Sequence, residues 1–553
     1  MNPSPCDLLV LNARPWTDGG PLADADAVAV AGDAIVAVGR GAELEALAGP
    51  RTRRIDAAGG TVTPGFTDAH IHLVQWARSL EELSLHGAAT RAEALERVAR
   101  HLAAQAASDA VVVGRGWDSN DWSDAPDRAS LDRVAGERVV LLHSRDFHSL
   151  WVSSAALARA GITRATPDPQ GGRIERDGVG EPTGVLREHA VRPFAQIEAG
   201  ARDGLDLEPV RRAVRRLHAF GITAVHDFEG PEAQRLLRIL TREAGPRVRV
   251  LMHLAHAGLG AALSLGLASG VGDDWFRIGA VKLFADGTLG SRTAALLEPY
   301  DGTRLRGLDL LSPDELRAIV ARAVVGRLSV AVHAIGDRAC RSALDAFEAA
   351  GGAAAAGALA LPPRIEHAQL VDTADVPRFA RLGVAASMQP THCTSDLELV
   401  GRFWGARAGS SYPWRALLDH GALLAFGSDA PVEVPNAAHG LHAAVTRERA
   451  DGTPPGGFVP GQRVPLDVAL AAYTSGPARL AGSWPRLGRL APGARADLVV
   501  WSADLHRLEP GALRDAFARL TLLEGEVVHE AAGDGAHAGE AVGLAAGGVV
   551  GAR

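Results

Sequence analysis

Lys282 is the only lysine in a chain of 553 residues whose 57 Lys and Arg side chains are otherwise all arginine. Both types serve on a solvated surface, but only lysine has a primary amine that can lose its proton and act as a nucleophile. Such an amine can add to CO2 and become a carbamate, an anionic oxygen ligand able to bridge two metal ions. The competing reading is a buried lysine held in an ion pair. Lys282 follows the apolar run Ile278-Gly-Ala-Val, His333 follows Ser329-Val-Ala-Val, His367 follows Arg364-Ile-Glu, and Asp429 follows Leu424-Ala-Phe-Gly-Ser. His70 and His72 close the run from Gly65, and residues two apart on a strand point to the same side. One His-x-His pair is explained as well by two hydrogen-bonded core histidines. Six such residues, each just after an apolar strand, are not. Four neutral imidazoles, one carboxylate and one potential carbamate suit borderline divalent ions, zinc first among them.

The elements that would position these residues repeat as helix, glycine and buried strand. Helices are expected over Leu205 to Phe220, Pro313 to Gly326 with Ser312 as N-cap, Asp375 to Leu382 and Trp414 to His420, each running into an apolar strand. Continuous apolar strands alternating with helices predict a parallel sheet covered on both faces. Counting from Gly65 there are eight such units, so the predicted fold class is α/β, a (β/α)8 barrel of the TIM type. Catalytic groups collect at the C-terminal ends of strands in that architecture. Short β-rich runs at both ends of the chain predict one composite β-sandwich domain from residues 1–63 and 480–530, flanking a barrel over 64–479. Residues 75–205 break the rhythm between strands 1 and 2 and read as an inserted subdomain over the barrel mouth, with an amphipathic helix from Arg91 to Ala107. The Gly/Ala-rich stretch 531–553 reads as a disordered tail.

Composition narrows the function class. A net charge of −8 without a Lys/Arg-rich run argues against nucleic acid. No apolar run reaches the ~18 residues of a membrane span. Cys6, Cys340 and Cys393 are too few and too scattered for a disulfide framework, and the N-terminus lacks a leader pattern. The expectation is a cytoplasmic protein acting on a small molecule, with homodimerisation left open.

Longer segments carry a more specific signal. Thr61-Val-Thr-Pro-Gly-Phe-Thr-Asp-Ala-His-Ile-His, Lys282-Leu-Phe-Ala-Asp-Gly-Thr-Leu-Gly-Ser-Arg, His333-Ala-Ile-Gly-Asp-Arg-Ala, Gly427-Ser-Asp-Ala-Pro-Val and Gly493-Ala-Arg-Ala-Asp-Leu-Val-Val span nearly the whole chain. Together they resemble the amidohydrolase superfamily, in its amidohydrolase-3 branch of YtcJ-like proteins, to which N-substituted formamide deformylase belongs. The resemblance implies that His70, His72 and Asp429 hold one divalent ion and His333 and His367 a second. Carbamylated Lys282 and a hydroxide would bridge them. It implies hydrolysis of a non-peptide C–N bond in a small amide or N-substituted formamide, with Asp429 moving the proton from water to the leaving nitrogen. The alternatives are a mononuclear deaminase or a lactone or ester hydrolase on the same barrel, and, further off, a scaffold that has lost activity. Candidate substrate contacts are Trp117, Asp118, His148, Arg292 and His392, with His143, Arg145 and Ser291 in the same loops. For each of them ordinary loop packing competes. Cys393, beside His392, reads as a small buried thiol rather than a ligand.

Overall fold

The apolar runs that follow each helix become the strands of one parallel sheet. In the computed structural model, which describes residues 5–104, 111–120, 122–200 and 206–532, eight strands lie in chain order around a barrel. They are β1 (Phe66–Ile71), β2 (Ile222–Asp227), β3 (Arg249–Ala255), β4 (Phe276–Phe284), β5 (Val330–Ala334), β6 (Arg364–His367), β7 (Ala385–Met388) and β8 (Leu424–Phe426). Every neighbouring pair from β1 to β8 runs parallel. The sheet closes just beyond β8, where the Asp429 N–H donates to the His70 carbonyl (2.7 Å) and the His72 N–H to that of Ala430 (2.9 Å).

The helices cover the barrel for local reasons visible in the sequence. The helix Pro313–Val325 starts at a capping box: Ser312 Oγ accepts from the Glu315 N–H, while the Glu315 carboxylate accepts from the Ser312 N–H. Both satisfy groups the first turn leaves open. The expected helices over 375–382 and 414–420 run from Val376 to Leu382 and Trp414 to Asp419. The helix expected from Leu205 begins at Glu208, and residue 205 itself lies outside the described residues. The amphipathic helix runs Arg91–Ala104, its expected last residues and the stretch from 533 onward also lying outside them.

Two further sheets pack as a sandwich at the barrel's N-terminal side. One has four strands (Ala34–Gly39, Ala27–Ala31, Cys6–Leu11 and Ala48–Asp56). The other places Thr61–Pro64 and Arg14–Thr17 beside Leu498–Trp501 and Ala518–Leu523. Val10, Val28, Val62, Leu498, Val500 and Leu522 fill the space between them. Arg249 of β3 anchors this unit from below the barrel, its buried guanidinium bonding both oxygens of Asp497 (2.6 and 3.0 Å).

Between β1 and β2 the chain builds a third, six-stranded mixed sheet from Leu83 to Glu188. Successive side chains alternate faces. Leu142 and Trp151 pack with Trp117, Trp122 and Leu131 on one face, and Leu141, Leu150 and Val152 pack with Ile174 and Phe194 on the other.

The helix Glu208–Ala219 links barrel and sandwich: the carbonyl of His218 accepts from Thr521 Oγ1 (2.7 Å), and its Nε2 donates to the Arg247 carbonyl (2.8 Å). Burial lowers the His218 pKa from 6.5 to about 4, more than that carbonyl raises it. The unfolded chain therefore binds the extra proton first. The stability contributed by neutral His218 is complete above pH 6.5 and is lost as pH falls towards about 4, at ~1.4 kcal/mol per pH unit. His218→Gln keeps a donor but cannot titrate. Its unfolding free energy relative to wild type should shift in the variant's favour between about pH 7 and about pH 4.5. A difference that stays constant over that range in urea titrations would show that the folded imidazole charges freely.

Candidate metal centre and its cavity

The strand ends bring His70, His367 and Asp429 together, with one donor atom of each within 4.8 Å of the others. His72 Nε2 stands 3.3 Å and His70 Nε2 3.5 Å from the same oxygen, Asp429 Oδ1. The second nitrogen of three imidazoles is committed elsewhere. His70 Nδ1 donates to Glu366 (2.7 Å), His367 Nδ1 to Gln389 Oε1 (2.8 Å), and His333 Nε2 to the Gly287 carbonyl (3.1 Å). Each ring then presents a bare lone pair on its other nitrogen. Burial drives the pKa of His70, His333 and His367 well below 6.5, and Lys282 adds to the effect at all three.

A neutral His70 whose proton is spent on Glu366 turns a lone pair towards a carboxylate oxygen. Two acceptors at that separation repel unless a cation lies between them. Burial raises the pKa of Asp429, and positive charge at the surrounding imidazoles of His70, His72 and His392 would hold it below the usual carboxylate range; a bound cation would supply that charge while the imidazoles stay neutral. Neutral nitrogens oriented from behind plus a carboxylate form a donor set matched to zinc-like ions. His367 and Asp429 reach these positions through left-handed backbone, with φ of 72° and 58°, a strain typical of functional sites.

Lys282, 3% exposed, has no hydrogen bond or ion pair among the described residues. Its Nζ lies 4.6 Å from the Phe228 ring centre and 4.8 Å from that of Phe284. Burial lowers its pKa to about 8 against the pull of Glu366 and Asp429. The ion-paired alternative for this lysine does not describe the structure.

The centre opens into a cavity of about 920 Å³ walled by strand ends, their loops and the inserted sheet. His148 reaches it, with its ring 5.5 Å from that of His333 and Nδ1 2.7 Å from Glu188. Burial would lower the His148 pKa, but Glu188 and then Asp146 raise it to about 9. His392 borders the cavity with Nε2 3.9 Å from Asp429 Oδ2, and Arg292 lies at its wall over the Phe403 ring (5.7 Å). Trp117 and Asp118 border it too, but both are engaged. The Trp117 indole is buried against Trp122 and Trp151 and donates to the Leu142 carbonyl (2.7 Å), and Asp118 accepts from Asn120. His143 pairs with Glu198 and Arg145 with Glu433. Burial raises the pKa of Cys393 to about 12, as expected for a packed thiol.

Several residues were not picked out from sequence. Glu366 and Gln389 aim two of the histidines. Asp286 accepts from the backbone of Ala295, Ile335 and Gly336 and so shapes the loops after β4 and β5. Phe284, two residues past Lys282, places its ring 5.2 Å from that of His333 at the cavity wall. The i, i+2 rule that pairs His70 with His72 was the available signal for it.

Residues 53–529 match the model of the amidohydrolase family. The protein YtcJ of Bacillus subtilis is 31% identical over 498 residues, 87% of this chain and 91% of that protein. N-substituted formamide deformylase of Arthrobacter pascens is 30% identical over 549 residues, 95% of this chain and 99% of its own. A metal-dependent hydrolase from Pyrococcus horikoshii superposes with a TM-score of 0.71 at 27% identity, covering 94% of this chain and all of that one.

Gln389 does not itself line the cavity, yet it holds His367 in place. Gln389→Leu should fold normally and weaken metal binding ~10–100-fold, the usual cost of removing such a partner. Competition against a chelator measures this, and an unchanged affinity would mean that His367 needs no orienting acceptor.

Proposed function

The chain belongs to the amidohydrolase family and is a metal-dependent hydrolase of C–N bonds other than peptide bonds, and from that premise we propose that it cleaves a small amide of the N-substituted formamide kind with two divalent ions, zinc by preference. The observation that carries this reading is the facing pair of acceptors, His70 Nε2 and Asp429 Oδ1, beside an unpaired buried amine. His70, His72 and Asp429 would hold one ion and His333 and His367 the other, with a carbamate on Lys282 between them. Such ions supply Lewis acidity, lowering the pKa of water and polarising a carbonyl.

The chain's own residues do the rest. Burial lowers the Lys282 pKa to about 8, so its free amine would add to CO2, forming an N–C bond and releasing one proton to water, and the carbamate would place an anion among the imidazoles. Asp429 accepts a proton from the attacking water and returns it to the departing nitrogen, which could not leave as an amide anion. Phe284 lines the cavity and offers an apolar face against which a substituent would lie. The relative from Arthrobacter pascens, matched over almost its full length, supports a formamide as the first substrate to try.

Lys282→Arg keeps charge and bulk but cannot be carbamylated. It should retain at most one ion per chain and lose turnover, and metal analysis with a formamide assay reads both. Full metal content with wild-type rate in this variant would sink the carbamate. Asp429→Asn should fold and lose turnover by at least ~10²–10⁴-fold, the range for a lost general acid–base. Activity within about threefold of wild type, far short of that range, would place the proton transfer elsewhere.

A further inference from the structure

Two buried residues of the cavity wall each keep a polar atom without a partner among the described residues. Gln369 and His392 are 3% and 7% exposed, and Gln369 Oε1 and His392 Nε2 bond to nothing among the described residues. Both residues line the same cavity as Asp429. Buried polar atoms are normally satisfied, and those left open at a cavity point to what fills it. Their chemical sense is set by their contacts. The Gln369 amide nitrogen lies 3.5 Å from His392 Nδ1 and donates to it, so the imidazole proton sits on Nε2. Asp429 Oδ2, 3.9 Å from that nitrogen, favours the same tautomer but is too distant to accept a full hydrogen bond. The wall therefore offers one acceptor, Gln369 Oε1, and one donor, His392 Nε2–H, beside the group that moves the proton.

A secondary amide carries the complementary pair, an N–H and a carbonyl oxygen. We infer that Gln369 and His392 read the scissile amide itself: Gln369 Oε1 accepts the substrate N–H and His392 Nε2–H donates to its carbonyl oxygen. This rests on the amide-hydrolase reading above and narrows its substrate class to amides that keep an N–H. Tertiary amides and esters leave Gln369 Oε1 buried and unpaired. In the reaction a water oxygen bonds to the carbonyl carbon and the C–N bond breaks. The proton Asp429 takes from water goes to the nitrogen, giving a carboxylic acid and a primary amine. His392 stabilises the charge gathering on the carbonyl oxygen, and Gln369 fixes the nitrogen that must be protonated.

The test compares N-butylformamide, N-butyl-N-methylformamide and butyl formate on the metal-loaded enzyme, each kcat/KM divided by the rate of uncatalysed hydrolysis. The secondary amide should lead the other two by about 10–100-fold, the effect of one unsatisfied buried acceptor. Gln369→Leu should erase that lead by slowing N-butylformamide alone. His392→Phe should lower kcat with KM and metal content little changed, and His392→Gln, which keeps an N–H, should recover part of it. Equal normalised rates for the three substrates, or a Gln369→Leu variant that slows all three alike, would overturn the inference and leave C–N hydrolysis standing. Loss of bound metal in His392→Phe would reassign that residue to structure and overturn its part. If none of the three is hydrolysed, the amide reading falls and this one with it.

Discussion

The barrel has one seam that lacks a regular strand pairing, and the metal centre is built on it. Between β1 and β8 the Asp68 carboxylate accepts from the backbone of Ser428 (2.9 Å) and His70 (3.1 Å) and from Ser428 Oγ (2.5 Å). Gly427 makes the approach possible, since a Cβ there would stand 2.4 Å from the His70 nitrogen. The same few residues thus close the sheet and set the separation of His70, His72 and Asp429. Geometry that catalysis needs to a fraction of an ångström is held here by hydrogen bonds that fix the backbone on which the ligands stand.

Beneath the seam lies a buried charge pair. Arg364 bonds both oxygens of Glu366, the Ala69 carbonyl (2.6 Å) and His226 Nδ1 (2.9 Å), so one guanidinium reaches β1, β2 and β6. Glu366 in turn holds His70. A pair this deep adds little to net stability; what it provides is a fixed acceptor behind a ligand and a positive charge that keeps nearby imidazoles neutral. The inserted sheet is tied to the barrel in a similar currency of carboxylates. Asp146 accepts from Thr288 (2.6 Å) and Ser291 (3.0 Å), and Glu188 from Thr293 (2.5 Å), so the loop after Lys282 is clasped from above. That part of the cavity wall is consequently fixed by hydrogen bonds from the inserted sheet.

The six strand-end residues were legible because each follows an apolar run at the same place in a repeating unit. That periodicity is local and survives in sequence. The residues behind them were not, because their partners are remote: Glu366 acts on His70 and Asp68 on Ser428. A partial signal existed. Arg364 and Glu366, two apart on an apolar strand, had to share a face, and in a closed parallel barrel that face is the lumen. Adjacent Glu366 and His367 should by the same rule point apart. They serve one site only because the chain turns left-handed at His367, which no pattern of apolar residues announces. In the inserted segment the amphipathic helix stood out, while the strands from Ser149 to Glu188 are short, broken by charged residues, and recognisable only once paired.

The sandwich has a consequence for how the molecule is made. Thr61–Pro64 finds its antiparallel neighbour in Leu498–Trp501, with the whole barrel in between. Loop closure over such a span is costly, and non-local pairing of this kind is slow. As the chain emerges from the ribosome, the inner face carrying Val10, Val28 and Val62 waits for Leu498, Val500 and Leu522. Its first strands are therefore synthesised early and completed last, a long interval with unpaired apolar edges in which aggregation competes with folding.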